Sequence, residues 1–217
     1  ADAHPGDVLM PWLMNLLPEG DPLRATGSAL GIAQEDVIAL LERLGGDTAG
    51  ALSVGAPRDR VQAGYRPVET EADLERILAD LPSKPFLVGE AGVSMSLAGA
   101  QYKLPVRADG RGRIAVPVHG APSTHILKPD HDRLHGSVVN EALCLVLARR
   151  LGLTTCTVTT GRAGARTYLL VTRYDRHRRG DGTILRRHQE DFCQALGRPP
   201  GTKYEHNQTG RRGPGLT

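Results

Sequence analysis

A run of small residues opened by a serine and closed by a lysine, Ser96 to Lys103 (SLAGAQYK), is followed by a second lysine ending a β-prone run, Thr124 to Lys128 (THILK). Ala98, Gly99 and Ala100 let the backbone come close to an anion, with its N–H groups free to face it. Lys103 and Lys128 supply fixed positive charge that reaches the same anion from a loop and from a neighbouring strand. Handling of phosphate needs that pairing. A Ser-x-Ala-Gly-Ala segment also serves as an ordinary surface turn, so its meaning depends on the elements around it.

Composition sets bounds. A chain of 217 residues can bury a core in one or two domains. A net charge of +3 is too mild to indicate a nucleic-acid binder. The basic runs Arg173 to Arg179 and Arg211–Arg212 read as solvated turns. Cys144, Cys156 and Cys193 are widely spaced and form no C-x-x-C, which suits reduced thiols rather than a disulfide or a zinc site. No apolar stretch approaches a membrane span and no charged-then-apolar leader is present. The expectation is a soluble, cytoplasmic chain trimmed at both ends.

The elements that must position the lysines follow from periodicity. Gln34 to Leu44 places Val37, Leu40, Leu41 and Leu44 on one stripe, and Gly45–Gly46 stops it. Thr70 with Asp73 opens a helix over Glu71–Leu81 whose apolar face is Leu74, Ile77, Leu78 and Leu81. Pro11 is placed to open a helix carrying Trp12, Leu13, Met14, Leu16 and Leu17. Phe86–Val88, Lys103–Val106, Ile114–Val118 and Thr124–Lys128 read as strands, with Asp109–Gly110 in a turn. A strong helix over Val138–Leu151 has the stripe Val139, Leu143, Val146, Leu147 and Leu151. Strands at Cys156–Thr160 and Thr167–Arg173 flank a Gly161–Gly164 turn. Asp181–Gly182 makes another turn, and Gln189–Leu196 reads as a short helix. Beyond Gly197 the chain is rich in Pro, Gly and Arg and reads as a loop.

The expected fold is therefore α+β: a small helical front domain over 1–85, then a kinase-like N-lobe over 86–197 with an antiparallel sheet and a packed helix. Residues 198–217 are expected to be a flexible loop. A phosphate loop between early strands, a lysine on a later strand and a helix after it is the order of a protein-kinase N-lobe. Glu141 is then the available partner for Lys128. It serves equally as a solvated carboxylate favoured by the helix dipole. Tyr168 to Asp175 would be the hinge strand beside adenine, or a plain buried strand ending in charges.

The chain resembles the HipA family of bacterial serine/threonine kinases, toxins of type II toxin–antitoxin modules. The resemblance is carried by Pro11 to Gly20 (PWLMNLLPEG), Gly45 to Ala51 (GGDTAGA), Ser96 to Lys103, His125 to Lys128, Asn140–Glu141, Tyr168 to Arg176, His188 to Gln194 (HQEDFCQ), Lys203 to Glu205 and Gly213 to Gly215. It implies that Ala98, Gly99, Ala100, Gln101, Tyr102, Lys103 and Lys128 contact ATP phosphates, and that Thr172, Arg173 and Tyr174 line the adenine site. It also implies that Ser96 is the autophosphorylated residue that silences the enzyme, with Ser94 as a second candidate. Tyr102 stands where the family usually has an acid, and Thr172 where it usually has Glu.

Transfer of a phosphoryl group needs carboxylates or amides to hold Mg2+ and to position the acceptor hydroxyl. The family keeps them in a helical C-lobe, in motifs shaped like Asp-x-His-x-x-Asn and Tyr-Asp, and neither motif occurs here. The resemblance thus implies the N-terminal half of a kinase, with no catalytic residue and no metal ligand in 1–217, and with the C-lobe missing. It implies ATP and Mg2+ as cofactors and a HipB-like helix-turn-helix antitoxin as partner. DNA would be met only through that antitoxin. The protein substrate would be a translation component such as an aminoacyl-tRNA synthetase. Two other readings remain open: a non-catalytic module that binds an antitoxin, and an unrelated ATP-dependent ligase or nucleotide-binding protein.

Overall fold

Six short strands form one antiparallel sheet in the order β1-β3-β2-β4-β6-β5. They are β1 (Gly64–Pro67), β2 (Leu104–Ala108), β3 (Ile114–Val118), β4 (His125–Pro129), β5 (Val158–Ala163) and β6 (Arg166–Thr172). The structure is a computed structural model that describes residues 6–55, 62–131 and 133–205. Arg211–Arg212, the Gly213–Gly215 segment and residues 206–217 of the expected tail lie outside the described residues. The β2–β3 register is pinned by Asp109, whose carboxylate accepts from the Arg111 and Arg113 N–H groups at 2.9 and 3.0 Å. A separate hairpin pairs β7 (Arg176–Arg178) with β8 (Ile184–Arg186) around the Asp181–Gly182 turn.

Three helices precede the sheet: α1 (Gly6–Met14), α2 (Gly20–Leu30) and α3 (Val37–Leu44). All four stripe residues of α3 are buried, and they pack with Leu16, Leu17 and Val88 into one cluster. α4 (Glu71–Asp80) is opened by Thr70, whose hydroxyl accepts from the Asp73 N–H at 3.1 Å. Leu74, Leu78 and Leu81 join Leu104, Val106, Ile114, Val116 and Leu127 in the main core. The sheet's core therefore reaches back across residue 85 to take in both α4 and β1. On the other sheet face, α5 (Ser137–Arg150) seats Val138 against Leu169 and Val171 of β6. α6 (Phe192–Ala195) follows the hairpin and touches α1.

Several expectations are corrected. Phe86–Val88 is not a strand: Pro85–Leu87 is a single tight turn with Phe86 and Leu87 at φ 56° and 55°. Lacking a neighbouring strand, it closes on itself through Leu87 N–H to Lys84 O and Val88 N–H to Pro85 O. The first helix starts at Gly6, runs through Pro11 and stops at Met14, so Leu16 and Leu17 lie in the following turn. β1 replaces a stretch read as part of a helical region. Gly161 belongs to β5 rather than to a turn; a Cβ there would lie 2.3 Å from the Tyr168 ring of the paired strand. The helix expected from Gln189 begins at Phe192, where Asp191 and Gln194 form a capping box.

The largest correction concerns α5. Its stripe exists as spaced, but it faces outward: Val139 is 65% exposed, Leu143 62%, Val146 48% and Leu147 55%. Leu151 and Leu153 extend the same exposed apolar patch.

Candidate functional site

The loop from Ser96 to Lys103 leads directly into β2, and its lysine is buried. Lys103 is 8% exposed and donates to the Ala98 carbonyl at 2.5 Å. The loop wraps around its own ammonium group. Gly99 makes this possible: its φ is 99°, and a Cβ there would lie 2.9 Å from Lys103 Nζ. The Gly99 carbonyl in turn accepts from the Glu19 N–H at 3.2 Å, fastening the loop to the α1–α2 connection.

Strand register brings the second lysine alongside. Leu104 pairs with Leu127, so Lys103 comes beside Lys128 at the end of β4. Lys128 Nζ lies 2.6 Å from Glu141 Oε1 on α5, which makes Glu141 an ion-pair partner rather than a solvated carboxylate. Burial pushes the Lys103 pKa down, and the nearby Lys128 charge adds to the effect, to about 8. Glu19 and Glu141 oppose that shift without cancelling it. A buried, under-compensated ammonium next to a second cation is an arrangement that an anion would relieve.

Ser96 is fully buried, and its hydroxyl donates to the Leu16 carbonyl at 2.7 Å. Ser94 is also buried, its hydroxyl oxygen accepting from the Gly46 N–H at 3.0 Å. Neither hydroxyl is open to a kinase while the loop keeps this conformation.

The hinge residues diverge. Thr172 ends β6 opposite His125, three register steps from the Lys128–Leu169 pair, or about 10 Å along the strands. Tyr174 is exposed, and its hydroxyl bonds the Gln189 side chain. The Arg173 side chain points into the protein, where it donates to Asp175, to the Ser123 hydroxyl and to the Thr48 carbonyl at 2.6–2.9 Å. The Arg173 N–H is also taken, donating to the Thr124 carbonyl at 2.9 Å, so of the three residues expected at adenine Arg173 can offer at most its carbonyl.

Ala100, Gln101 and Tyr102 form one wall of a cleft of about 260 Å³ whose other walls include His131, Arg133 and Arg166. Asp130 lies there too, occupied in capping α5: it accepts from Gly136 N–H, the Ser137 hydroxyl and Val138 N–H at 2.7–3.1 Å. Burial alone would push its carboxyl up, but those hydrogen bonds more than reverse that and hold it at about 2.

Sequence reasoning missed the most heavily bonded group in the molecule. Asp47 and Asp175 face Arg173, Arg176 and Arg186 in a cluster whose first four members have side chains no more than 5% exposed. Two carboxylates face three guanidiniums there, which leaves one positive charge in excess. Burial raises the Asp175 carboxyl, and the bonds and charge of Arg173 with the charge of Arg176 bring it below its ordinary value. Gly45–Ala51 and Tyr168–Arg176 were each noticed as motifs; nothing in their spacing joins them. Among the described residues no cluster of three or more His, Cys, Asp or Glu comes together. No described helix is long and apolar enough to cross a membrane.

An antiparallel sheet carrying a small-residue loop and a lysine–glutamate pair to one helix defines an α+β lobe of the kinase type. The family model described as the HipA-like C-terminal domain matches residues 95–213, and that of the HipA N-terminal domain matches 1–55. The chain belongs to the HipA family. It is 47% identical over 202 residues to a putative kinase of Sinorhizobium fredii, covering 89% of this chain and 47% of that protein. It is 35% identical over 204 residues to the serine/threonine-protein kinase toxin HipA of Shewanella oneidensis, covering 92% and 46%. A solved complex of Shewanella oneidensis HipA with HipB and its operator DNA contains a chain that superposes with a TM-score of 0.72 at 33% identity, covering 92% of this chain and 46% of that one. The chain spans about half the length of the curated relatives it matches.

Proposed function

We propose that residues 1–217 form the nucleotide-gripping part of a HipA-like toxin serine/threonine kinase. The observation that carries this reading is the pair Lys103 and Lys128, set side by side at the end of a small-residue loop, with burial and then the Lys128 charge lowering Lys103 to about 8. In this reading Ala98 to Lys103 and Lys128 bind the ATP phosphates and Glu141 orients Lys128. The adenine lies by Thr172 to Tyr174, where the Thr172 and Arg173 N–H groups are taken by the Thr157 and Thr124 carbonyls and backbone carbonyls are left to read the base.

The described residues offer no carboxylate cluster for Mg2+, so no step is assigned here to a metal held by this chain. Metal binding and acceptor positioning belong to polypeptide that the longer relatives possess and that docks on the outward stripe of α5. By itself the chain binds ATP weakly, on the order of millimolar, and transfers no phosphate, because the triphosphate charge stays incompletely compensated. Titration with ATP, followed residue by residue by NMR, is expected to shift resonances of 98–103 and Lys128, and Lys128→Ala abolishes those shifts. Shifts confined to other regions, or magnesium-dependent transfer from labelled ATP by 1–217, would overturn the reading.

The protein substrate is of the translation-component class, such as an aminoacyl-tRNA synthetase, and silencing occurs by phosphorylation of Ser96. Because Ser96 is buried against Leu16, modification requires the loop to leave first; the added charge then blocks its return beside Lys103. Mass spectrometry after incubation with an active full-length relative should find phosphate on Ser96; phosphate on Ser94 or Thr124 alone contradicts this. A second reading, a non-catalytic module docking a HipB-like antitoxin, draws on the HipB present with the Shewanella HipA. Capture of such an antitoxin by 1–217 without detectable ATP binding would favour it.

A further inference from the structure

The phosphate loop and the hinge strand must sit a fixed distance apart if one nucleotide is to touch both, and a single residue bonds to the roots of each. We infer that Asp47 is a positioning residue that sets the separation between the phosphate loop and the hinge. Its backbone grips the segment leading into the loop: Asp47 N–H donates to the Ser94 carbonyl and the Asp47 carbonyl accepts from Ser96 N–H, both at 3.0 Å. Its side chain grips the hinge end of the sheet. Oδ2 accepts from the Ser123 N–H at 3.0 Å, just before β4, and lies 3.5 Å from Arg173 Nη1. Oδ1 accepts from Arg176 Nη2 at 2.9 Å and meets Arg186 Nη2 at 3.3 Å.

Asp47 is 1% exposed, so water cannot substitute for these bonds. The neighbouring residues repeat the pattern. The Thr48 carbonyl accepts from Arg173 and Arg176, and Gly50 N–H donates to Asp175 at 2.8 Å. Without Asp47 the loop root and the hinge communicate across the sheet through the paired strands β2, β4 and β6. The link through Asp47 bypasses the sheet. Its charge also matters: removing it leaves Asp175 alone against three arginines, which favours separation of Arg176 and Arg186 from the loop root. The functional meaning of that distance rests on the nucleotide reading above; the distance itself does not.

The test is a pair of spin labels at Gln101→Cys and Tyr174→Cys in the full chain, with Cys144, Cys156 and Cys193 replaced by alanine, read by pulsed dipolar spectroscopy. The otherwise unchanged chain should give one narrow distance distribution. Asp47→Asn that retains native circular dichroism should give a distribution about twofold wider. Arg186→Met, which removes the outermost arm, should widen it less. Val116→Ala lowers stability from the main core without touching these bonds or the labelled residues and should leave the width unchanged. An unchanged width in folded Asp47→Asn overturns the proposal, as does equal widening by Val116→Ala. If Asp47→Asn does not fold, Arg186→Met decides, and an unchanged width there overturns it. Failure of ATP to bind the parent chain would remove the nucleotide reading and leave the distance result standing.

Discussion

The seam between the front helices and the sheet is sealed, whereas the α5 side of the same sheet is open. Leu40 and Leu41 of α3 are fully buried in the front helices' own core, and at the seam the Asp47–Arg173 cluster is closed to water. On the open side, α5 has an apolar stripe of the same helical spacing, and Val139, Leu143 and Leu147 each leave more than half their surface in solvent. α3 is apolar on one face, whereas α5 carries apolar residues on both faces, and the two also differ in what lies opposite. α3 meets the α1–α2 connection and Val88. α5 uses its other face, Val138 and Ala142, to reach β6. The difference teaches that periodicity marks an apolar face, and that what lies opposite decides whether the described residues cover it.

Opening the seam should cost most. Arg173→Met removes the guanidinium bonds to Asp175, the Ser123 hydroxyl and the Thr48 carbonyl in a dry environment, leaving Asp175 to Arg176 and the Gly50 N–H, and is expected to destabilise by about 3–5 kcal/mol in chemical denaturation. A loss below about 1 kcal/mol would mean that the seam is wetter than its geometry indicates. The two helices can then be compared directly. Leu40→Ala is expected to cost about 2–5 kcal/mol. Leu143→Ala should stay within about 0.5 kcal/mol in this chain. Equal losses would show that the α5 stripe is covered after all.

A smaller effect of opposite sign is expected at the site. The folded-state pKa of Lys103, about 8, lies below its ordinary 10.5. Between these values the unfolded chain binds more protons, so stability rises with pH from about 8 to about 10.5. Below that window the full penalty of burying the charge is present. Lys103→Met should therefore stabilise the chain at pH 7 by about 1–3 kcal/mol and flatten the pH dependence across the window, as thermal melts would show. A site residue that lowers stability fits a group kept for binding.

How much of this the sequence disclosed varies with the range of the interaction. α3 and α4 were legible because their stripes and the Thr70 cap are local. The Lys128–Glu141 pair was legible because a strand lysine followed by a helix acid needs one crossing to meet. The Phe86–Val88 run was misleading because apolar β-prone residues, flanked by Pro82 and Pro85, fill a core equally well as a tight turn. The outward face of α5 could not be read, since α5 carries apolar residues on both faces and only the placed sheet shows which of them is covered. The Asp47–Arg173 cluster joins residues more than half the chain apart, and the run Arg173 to Arg179 taken alone reads as a solvated turn.

The central claim is that Lys103 and Lys128 form a phosphate site, and the most direct measurement is the Lys103 ammonium pKa by NMR, with and without saturating ATP. In the free chain it should titrate near 8. Bound phosphate should carry it back toward the ordinary lysine value, by a unit or more. A value near 10.5 in the free chain, or a low value that ATP does not move, would contradict the account.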